Sequence, residues 1–75
     1  MIKFIAQLSR KNKDIEAQVA AAMRLTPISA TGGRTAARQL TFEVADRKEA
    51  VNARMRVYNL MKKLGESITV NMTEA

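Results

Sequence analysis

The chain has 75 residues, with 13 Lys and Arg against 7 Asp and Glu, so its formal net charge is +6; it contains neither cysteine nor histidine. The lack of both residue types excludes disulfides, thiolate catalysis, structural zinc sites and the commonest general base. The length predicts one domain, residues 1–75, near the lower limit of what folds without a disulfide or a metal. The positive charge favours an anionic partner.

The sequence predicts a soluble cytoplasmic protein, or a nuclear one if the source is a eukaryote, without a membrane partner. The first apolar residues alternate with Lys3 and Gln7 and do not form the continuous run of a signal peptide. Nothing approaches the ~20 apolar residues of a membrane-spanning helix. The acidic residues are scattered and lack the spacing of a calcium-binding loop, so we expect neither a metal nor another cofactor.

The first two elements differ in how clearly they can be assigned. Residues 2–9 alternate between apolar and polar, which predicts a half-buried strand. Residues 14–25 fit both a helical and a strand period. Their composition, with four alanines and only two β-branched residues, favours a helix that begins at Asn12 or Asp14. Thr26-Pro27 ends it, because a residue before proline resists the α conformation.

Residues 27–45 are predicted to form a hairpin. A short arm at 28–31 leads to a two-residue turn at Gly32-Gly33, where glycines accept a positive φ. The longer arm runs through Leu40, Phe42 and Val44, but it alternates clearly only from residue 38 onward. A longer loop is therefore the alternative to the tight turn.

The segment Asp46–Gly65 carries the clearest helix signal. Asp46 is a good N-cap with Glu49 three residues later, and Gly65 suits the left-handed cap that ends a helix. Lys62 and Lys63 lie near the negative end of its dipole. One face is apolar and must pack on the rest of the domain; its residues are Ala50, Ala53, Val57, Leu60, Met61 and Leu64.

A last strand is predicted at 67–73, which completes the order β-α-β-β-α-β. With such short connections, this order predicts an α+β, ferredoxin-like fold, in which an antiparallel four-stranded sheet carries two helices on one face. If residues 14–25 form a strand instead, the alternative is a three-stranded antiparallel sheet followed by one long helix and a last strand.

Three segments are similar to strands of the RNA-recognition-motif family. Phe4–Ser9 resembles the RNP2 segment, Arg38–Val44 lies about where the RNP1 strand falls, and Ser67–Glu74 is similar to the closing strand. The resemblance spans the whole chain and implies the same layout. In that family, aromatic residues of the RNP segments lie on the open sheet face and stack on bases.

Strand parity predicts a different place for the two phenylalanines of this chain. Phe42 shares a face with Leu40, whereas the opposite face carries Glu43, which is costly to bury without a partner. Phe4 likewise shares a face with Ile2. The RNP1 glycines are missing, and Leu40 occupies one of the aromatic positions. We therefore expect both rings in the core, with the layout of that family but not its base stacking.

The remaining functional signal is charge, in three stretches after the first strand, around the glycines and at the start of the long helix. A glycine tip lets the backbone approach a phosphate, although an ordinary turn with solvated arginines fits the same pattern. The candidate nucleic-acid-binding residues are Arg10, Lys11, Lys13, Arg34, Arg38, Arg47 and Lys48.

Two of these residues lie where the helix dipole disfavours them. Arg47 and Lys48 open the long helix at its positive end. Their position indicates either an anionic partner or an ion pair between Arg47 and a nearby acid.

Val51, Met55 and Tyr58 lie between the apolar and polar faces of the long helix. This group, the apolar shoulder, is a candidate surface for a partner protein or for a homodimer. A tyrosine that simply lies at the core boundary, with its hydroxyl in water, is the ordinary alternative for Tyr58.

The sequence contains no nucleophile–base pair, nucleotide-binding loop or paired-carboxylate signature, so we do not expect an enzyme. The first hypothesis is a small basic module that binds DNA, RNA or a nucleoprotein complex through a basic surface built from the 10–13 loop, the 32–38 hairpin and the start of the long helix. The second is an accessory or inhibitor protein that docks on an acidic surface of a larger machine and blocks it by occlusion. In size, positive charge and lack of catalytic groups, the chain resembles many phage-encoded accessory proteins, including anti-CRISPR and polymerase-inhibiting ones.

Overall fold

The computed structural model describes residues 1–34 and 36–74. Its elements are β1 (Ile2–Leu8), α1 (Lys13–Met23), β2 (Ser29–Thr31), β3 (Arg38–Val44), α2 (Arg47–Leu64) and β4 (Ile68–Glu74). The strands form one antiparallel sheet in the order β2-β3-β1-β4. The predicted ferredoxin-like α+β layout is confirmed, and the three-stranded alternative is wrong.

Helix α1 begins at a side-chain cap. The Asn12 Oδ1 atom accepts the backbone N–H groups of Asp14 and Ile15 at 3.0 and 3.3 Å, which satisfies donors that the first helical turn leaves free. The helix ends before Arg24, which has a left-handed backbone with φ of 59°. It is therefore shorter than the predicted 14–25 at its C-terminal end, because the reversal of the chain precedes Thr26-Pro27.

The connection between β2 and β3 differs from the predicted two-residue turn. Strand β2 ends at Thr31, which pairs with Gln39, so residues 32–37 separate the strands, with Thr35 outside the described residues. Both glycines have positive φ, 79° and 103°. The N–H of Gly33 donates to the carbonyl oxygen of Ala36 at 2.8 Å, which closes a wider turn. The tight-turn prediction is wrong, and the longer loop is present.

Helix α2 has the predicted boundaries. The Asp46 carboxylate accepts the backbone N–H of Glu49 at 2.8 Å, and Gly65 takes a left-handed cap with φ of 69°. Its buried residues Ala50, Ala53 and Val57 lie on the predicted apolar face. Leu60 and Met61 of the same face pack against the core at its margin, so the helix buries its apolar face as predicted.

The core lies between the helices and one face of the sheet. Phe4 and Phe42 are directly paired across β1 and β3 and completely buried, with ring centroids 6.3 Å apart in an edge-to-face arrangement. Both helices contribute to the same cluster, through Val19 of α1 and Val57 of α2. The predicted placement of both rings in the core is therefore confirmed.

Candidate nucleic-acid interface

Three loops meet at one end of the sheet. Leu8, the last residue of β1, pairs with the first residues of β3 and β4, Arg38 and Ile68. The loop after β1, the loop 32–37 and the loop before β4 therefore lie side by side. Four of the predicted basic residues belong to this end: Arg10, Lys11, Lys13 and Arg34. We call these four residues the basic end.

Arg47 and Lys48 lie at the opposite end of the sheet. Ile2, the first residue of β1, pairs with Glu74, and the Nη2 atom of Arg47 lies 3.3 Å from Oε1 of this same Glu74. Because β1 has seven residues, the two ends are about 20 Å apart. One copy of the chain therefore does not bring the start of α2 together with the basic loops, contrary to the single surface expected from the sequence.

The two basic loops are in close contact at Gly33. A Cβ atom added to Gly33 would lie 2.8 Å from the Cβ of Lys11 and 3.4 Å from the Cδ of Arg38. The 2.8 Å separation is too short for a Cβ, and the φ of 103° is one that other residues rarely adopt, so glycine suits this approach best. The contact holds Lys11 beside the loop that carries Arg34.

Arg38 has a different environment from the other basic residues. Its Nε and Nη2 atoms donate to Oε1 of Glu16 at 3.1 and 3.0 Å, and its Nη1 atom donates to the carbonyl oxygen of Gly32 at 3.3 Å. The side chains of Arg38 and Glu16 are only 14% and 16% exposed. Arg38 therefore ties the glycine loop to α1, and its guanidinium is already engaged.

The basic end itself is exposed and carries free charge. Arg10, Lys11, Lys13 and Arg34 are all solvent-exposed. Across residues 1–34 and 36–74, the two ion pairs are Arg38–Glu16 and Arg47–Glu74, and neither involves the basic end. Several positive charges therefore lie at this end, and none of them forms an ion pair in the described residues.

A groove of about 190 Å³ opens beside the basic end. It runs between the end of β1 and the starts of β3 and β4, and Ser9, Ser67 and Thr69 line it with hydroxyl groups. Hydroxyl and amide side chains often contact the phosphates and sugars of nucleic acids. The sequence did not single out these residues, because the groove forms only when three distant segments meet.

The open face of the sheet is polar apart from Ile5, and no described residue of its strands places an aromatic side chain there. Its residues in the three longer strands are Lys3, Ile5, Gln7, Gln39, Thr41, Glu43, Thr69, Asn71 and Thr73. Base stacking needs flat aromatic or guanidinium groups on this face, as the RNA-recognition motif has. The open face therefore offers hydrogen bonds but no aromatic surface for bases.

The apolar shoulder of α2 overhangs the edge strand β4. Val51 and Arg54 line a groove of about 270 Å³ together with Met72 and Glu74 of β4. Met55 and Tyr58, which are 60% and 37% exposed, lie farther along the same side of the helix. The shoulder and the edge of β4 thus form one continuous surface.

No group of three or more Asp or Glu side chains that could hold a metal ion occurs in the described part of the chain. Among the helices of residues 1–34 and 36–74, none has both the length and the apolar character needed to cross a membrane. Comparison with protein-family models, with curated proteins and with solved structures gave no match.

Proposed function

We propose that this protein is a small, non-enzymatic binding module of the cytoplasm that contacts the backbone of DNA or RNA through its basic end. The observation that carries the proposal is the close contact of Gly33 with Lys11. It brings the loop that carries Arg34 against Lys11, and neither residue forms an ion pair in the described part of the chain. Clustered, unneutralised cations bind phosphates by releasing the counterions that surround them.

The roles within this site differ. Arg10, Lys11, Lys13 and Arg34 are exposed and contact phosphates, and the hydroxyls of the neighbouring groove supply hydrogen bonds to phosphate or sugar oxygens. Arg38 is a positioning residue, because its guanidinium is held by Glu16 and Gly32. The polar open face gives no stacking platform, so binding depends little on base sequence.

The decisive experiment is the salt dependence of binding to short single- and double-stranded DNA and RNA, measured by fluorescence anisotropy. Each phosphate contact contributes about 0.9 to the slope of log affinity against log salt on duplex DNA. We expect Lys11→Ala with Arg34→Ala to reduce this slope by about two and to weaken binding equally for all sequences.

The matched control removes two cations away from the basic end. Lys3→Gln with Arg24→Asn has the same change in net charge, and asparagine tolerates the left-handed backbone of Arg24. This control should bind almost as the unchanged protein does. Absence of binding to all four nucleic acids at low salt, or an equal loss in both double variants, would refute the proposal.

A specific observation favours a second function, which is docking on another protein. The exposed Met55 and Tyr58 continue into the groove beside β4, and Arg47, Arg54 and Lys62 line the same side of α2. An accessory protein that blocks an acidic surface of a larger machine would use such a mixed apolar and basic surface. A stoichiometric complex that survives nuclease treatment and is lost in Met55→Lys would support this function.

A further inference from the structure

Strand β4 is a long, unprotected edge. In the part of the chain that the structure describes, β4 pairs with β1 alone, so the backbone groups along its outer side are free. Edge strands are usually protected by shortness, proline, lysine or bulges. The opposite edge, β2, has only three residues, whereas β4 has seven, contains no proline or lysine, and has a single charge at its end, Glu74.

We propose that β4 pairs antiparallel with β4 of a second copy, giving a two-fold dimer with a continuous eight-stranded sheet. The axis passes through Asn71, the middle residue of β4, because this register pairs all seven residues. Asn71 then faces Asn71 of the second copy, Val70 faces Met72, and Thr69 faces Thr73. In this register the apolar Val70 and Met72 meet on the helix side and polar side chains meet on the open side. At each end of the paired strands, Ile68 faces the exposed Glu74.

The surface on the helix side of β4 also fits a second copy of the chain. Val70 and Met72 point toward the helices yet are only half-buried, because α2 leaves the outer side of β4 partly uncovered. A two-fold axis at Asn71 brings the second α2 alongside the first, running in the opposite direction. The two apolar shoulders, with Met55 near the middle of each helix, then cover one another and the grooves beside β4.

The dimer also brings the basic end of one copy close to Arg47 and Lys48 of the other, although these groups lie far apart within one copy. In this register Ile68 of one copy lies beside Glu74 of the second, so the basic end of one copy adjoins Arg47 and Lys48 of the other. The two β1 strands are three strand spacings apart, about 14 Å. Each end of the dimer therefore carries cations from both copies. A shared role in binding nucleic acid rests on the proposed function, whereas the strand pairing itself does not.

The net charge of the chain determines whether salt strengthens or weakens the dimer. Two copies with a formal charge of +6 each repel one another, and salt screens this repulsion. The dimer should therefore tighten as salt rises, whereas binding to a polyanion weakens. Sedimentation velocity over a range of protein and salt concentrations measures the first effect separately from the second.

The register is tested with cysteine, which the natural chain lacks. Asn71→Cys places two thiols directly opposite each other, within the Cα separation of a disulfide, and should cross-link readily in mild oxidant. Thr69→Cys is the matched control. Its own copy lies four residues away along the strand, about 13 Å, so it should not cross-link. Equal cross-linking of both variants would overturn the register.

Substitutions at the axis test the dimer without disturbing the core, because Asn71 is exposed on the open face. Asn71→Lys and Asn71→Glu each place like charges opposite one another, so both should weaken the dimer at least tenfold despite their opposite effects on net charge. Gln39→Lys and Gln39→Glu, on the same face of β3, should leave it unchanged. A chain that is monomeric at every salt and protein concentration would refute the proposal, as would docking of an unrelated strand in place of the second copy.

The basic surface at each end of the dimer, which combines the basic end of one copy with Arg47 and Lys48 of the other, can be tested separately. Arg47→Ala with Lys48→Ala should weaken nucleic-acid binding in the natural chain but not in the monomeric Asn71→Lys variant. An equal effect in both backgrounds would show that the two copies do not share one binding surface. A chain that cross-links at Asn71→Cys but binds no nucleic acid would refute the proposed function and leave the dimer standing.

Discussion

Arg38 and Glu16 are 22 residues apart in the chain, and the guanidinium of Arg38 donates two hydrogen bonds to one carboxylate oxygen of Glu16, at 3.1 and 3.0 Å. The other carboxylate oxygen of Glu16 accepts the backbone N–H of Asn12 at 3.0 Å. This pair joins the start of β3 to the first turn of α1. It fixes the two segments from which the basic loops extend.

Removing the cation of this pair should destabilise the fold. Arg38→Met keeps the aliphatic part of the side chain but leaves the half-buried Glu16 without its cation, which should lower the free energy of unfolding by about 1–3 kcal/mol. Urea denaturation followed by circular dichroism measures the loss. Arg34→Met, an exposed arginine of the neighbouring loop, should change stability little. Equal losses in the two variants would contradict a structural role for Arg38.

Alanine substitutions at Gly32 and Gly65 test how much the close packing of the 32–37 loop contributes to stability. Gly32 and Gly65 have similar backbone angles, with φ of 79° and 69°, but a Cβ at Gly32 would collide with the carbonyl oxygen of Ala37, whereas a Cβ at Gly65 meets nothing within 4 Å. Gly65→Ala should therefore cost only the left-handed penalty, about 1 kcal/mol. Gly32→Ala should cost clearly more, about 2 kcal/mol or above, because the loop must also move. Equal midpoints in urea would show that the loop adjusts freely.

The buried aromatic pair should affect stability and not binding. Phe42→Leu removes the edge-to-face contact with Phe4 and leaves a small void, so stability should fall by about 1–1.5 kcal/mol. Under conditions where the variant is fully folded, its affinity for nucleic acid should equal that of the natural chain. A selective loss of affinity at unchanged stability would place Phe42 at the interface instead.

Arg56 joins the two helices through the end of α1. Its Nε atom donates to the carbonyl oxygen of Ala22 at 2.6 Å, and the last turn of α1 has no basic residue of its own. A cation here complements the negative end of the helix dipole, so Arg56→Met should lower stability by about 1 kcal/mol. Lys48→Met is the control, since it removes an exposed cation from the positive end of α2. Thermal unfolding should show a loss for the first variant and none for the second.

The sequence by itself determined the local structure, because that information lies within a few residues. The caps at Asp46 and Gly65 and the apolar face between them set the boundaries of α2. Strand parity placed Phe4 and Phe42 in the core, since successive side chains of a strand point to opposite faces. The order of these elements, with short connections, then left the ferredoxin-like layout as the preferred arrangement.

Only the tertiary structure decided which distant residues became neighbours. The pairing of Leu8 with Arg38 and Ile68 gathered three loops at one end of the sheet, and the same register sent Arg47 to the other end. The ion pair between Arg38 and Glu16 and the close approach of Gly33 to Lys11 likewise have no local signal. The number of cations can be counted from the sequence. Their positions relative to one another depend on strand register, which is determined by the pairing of all strands in the sheet.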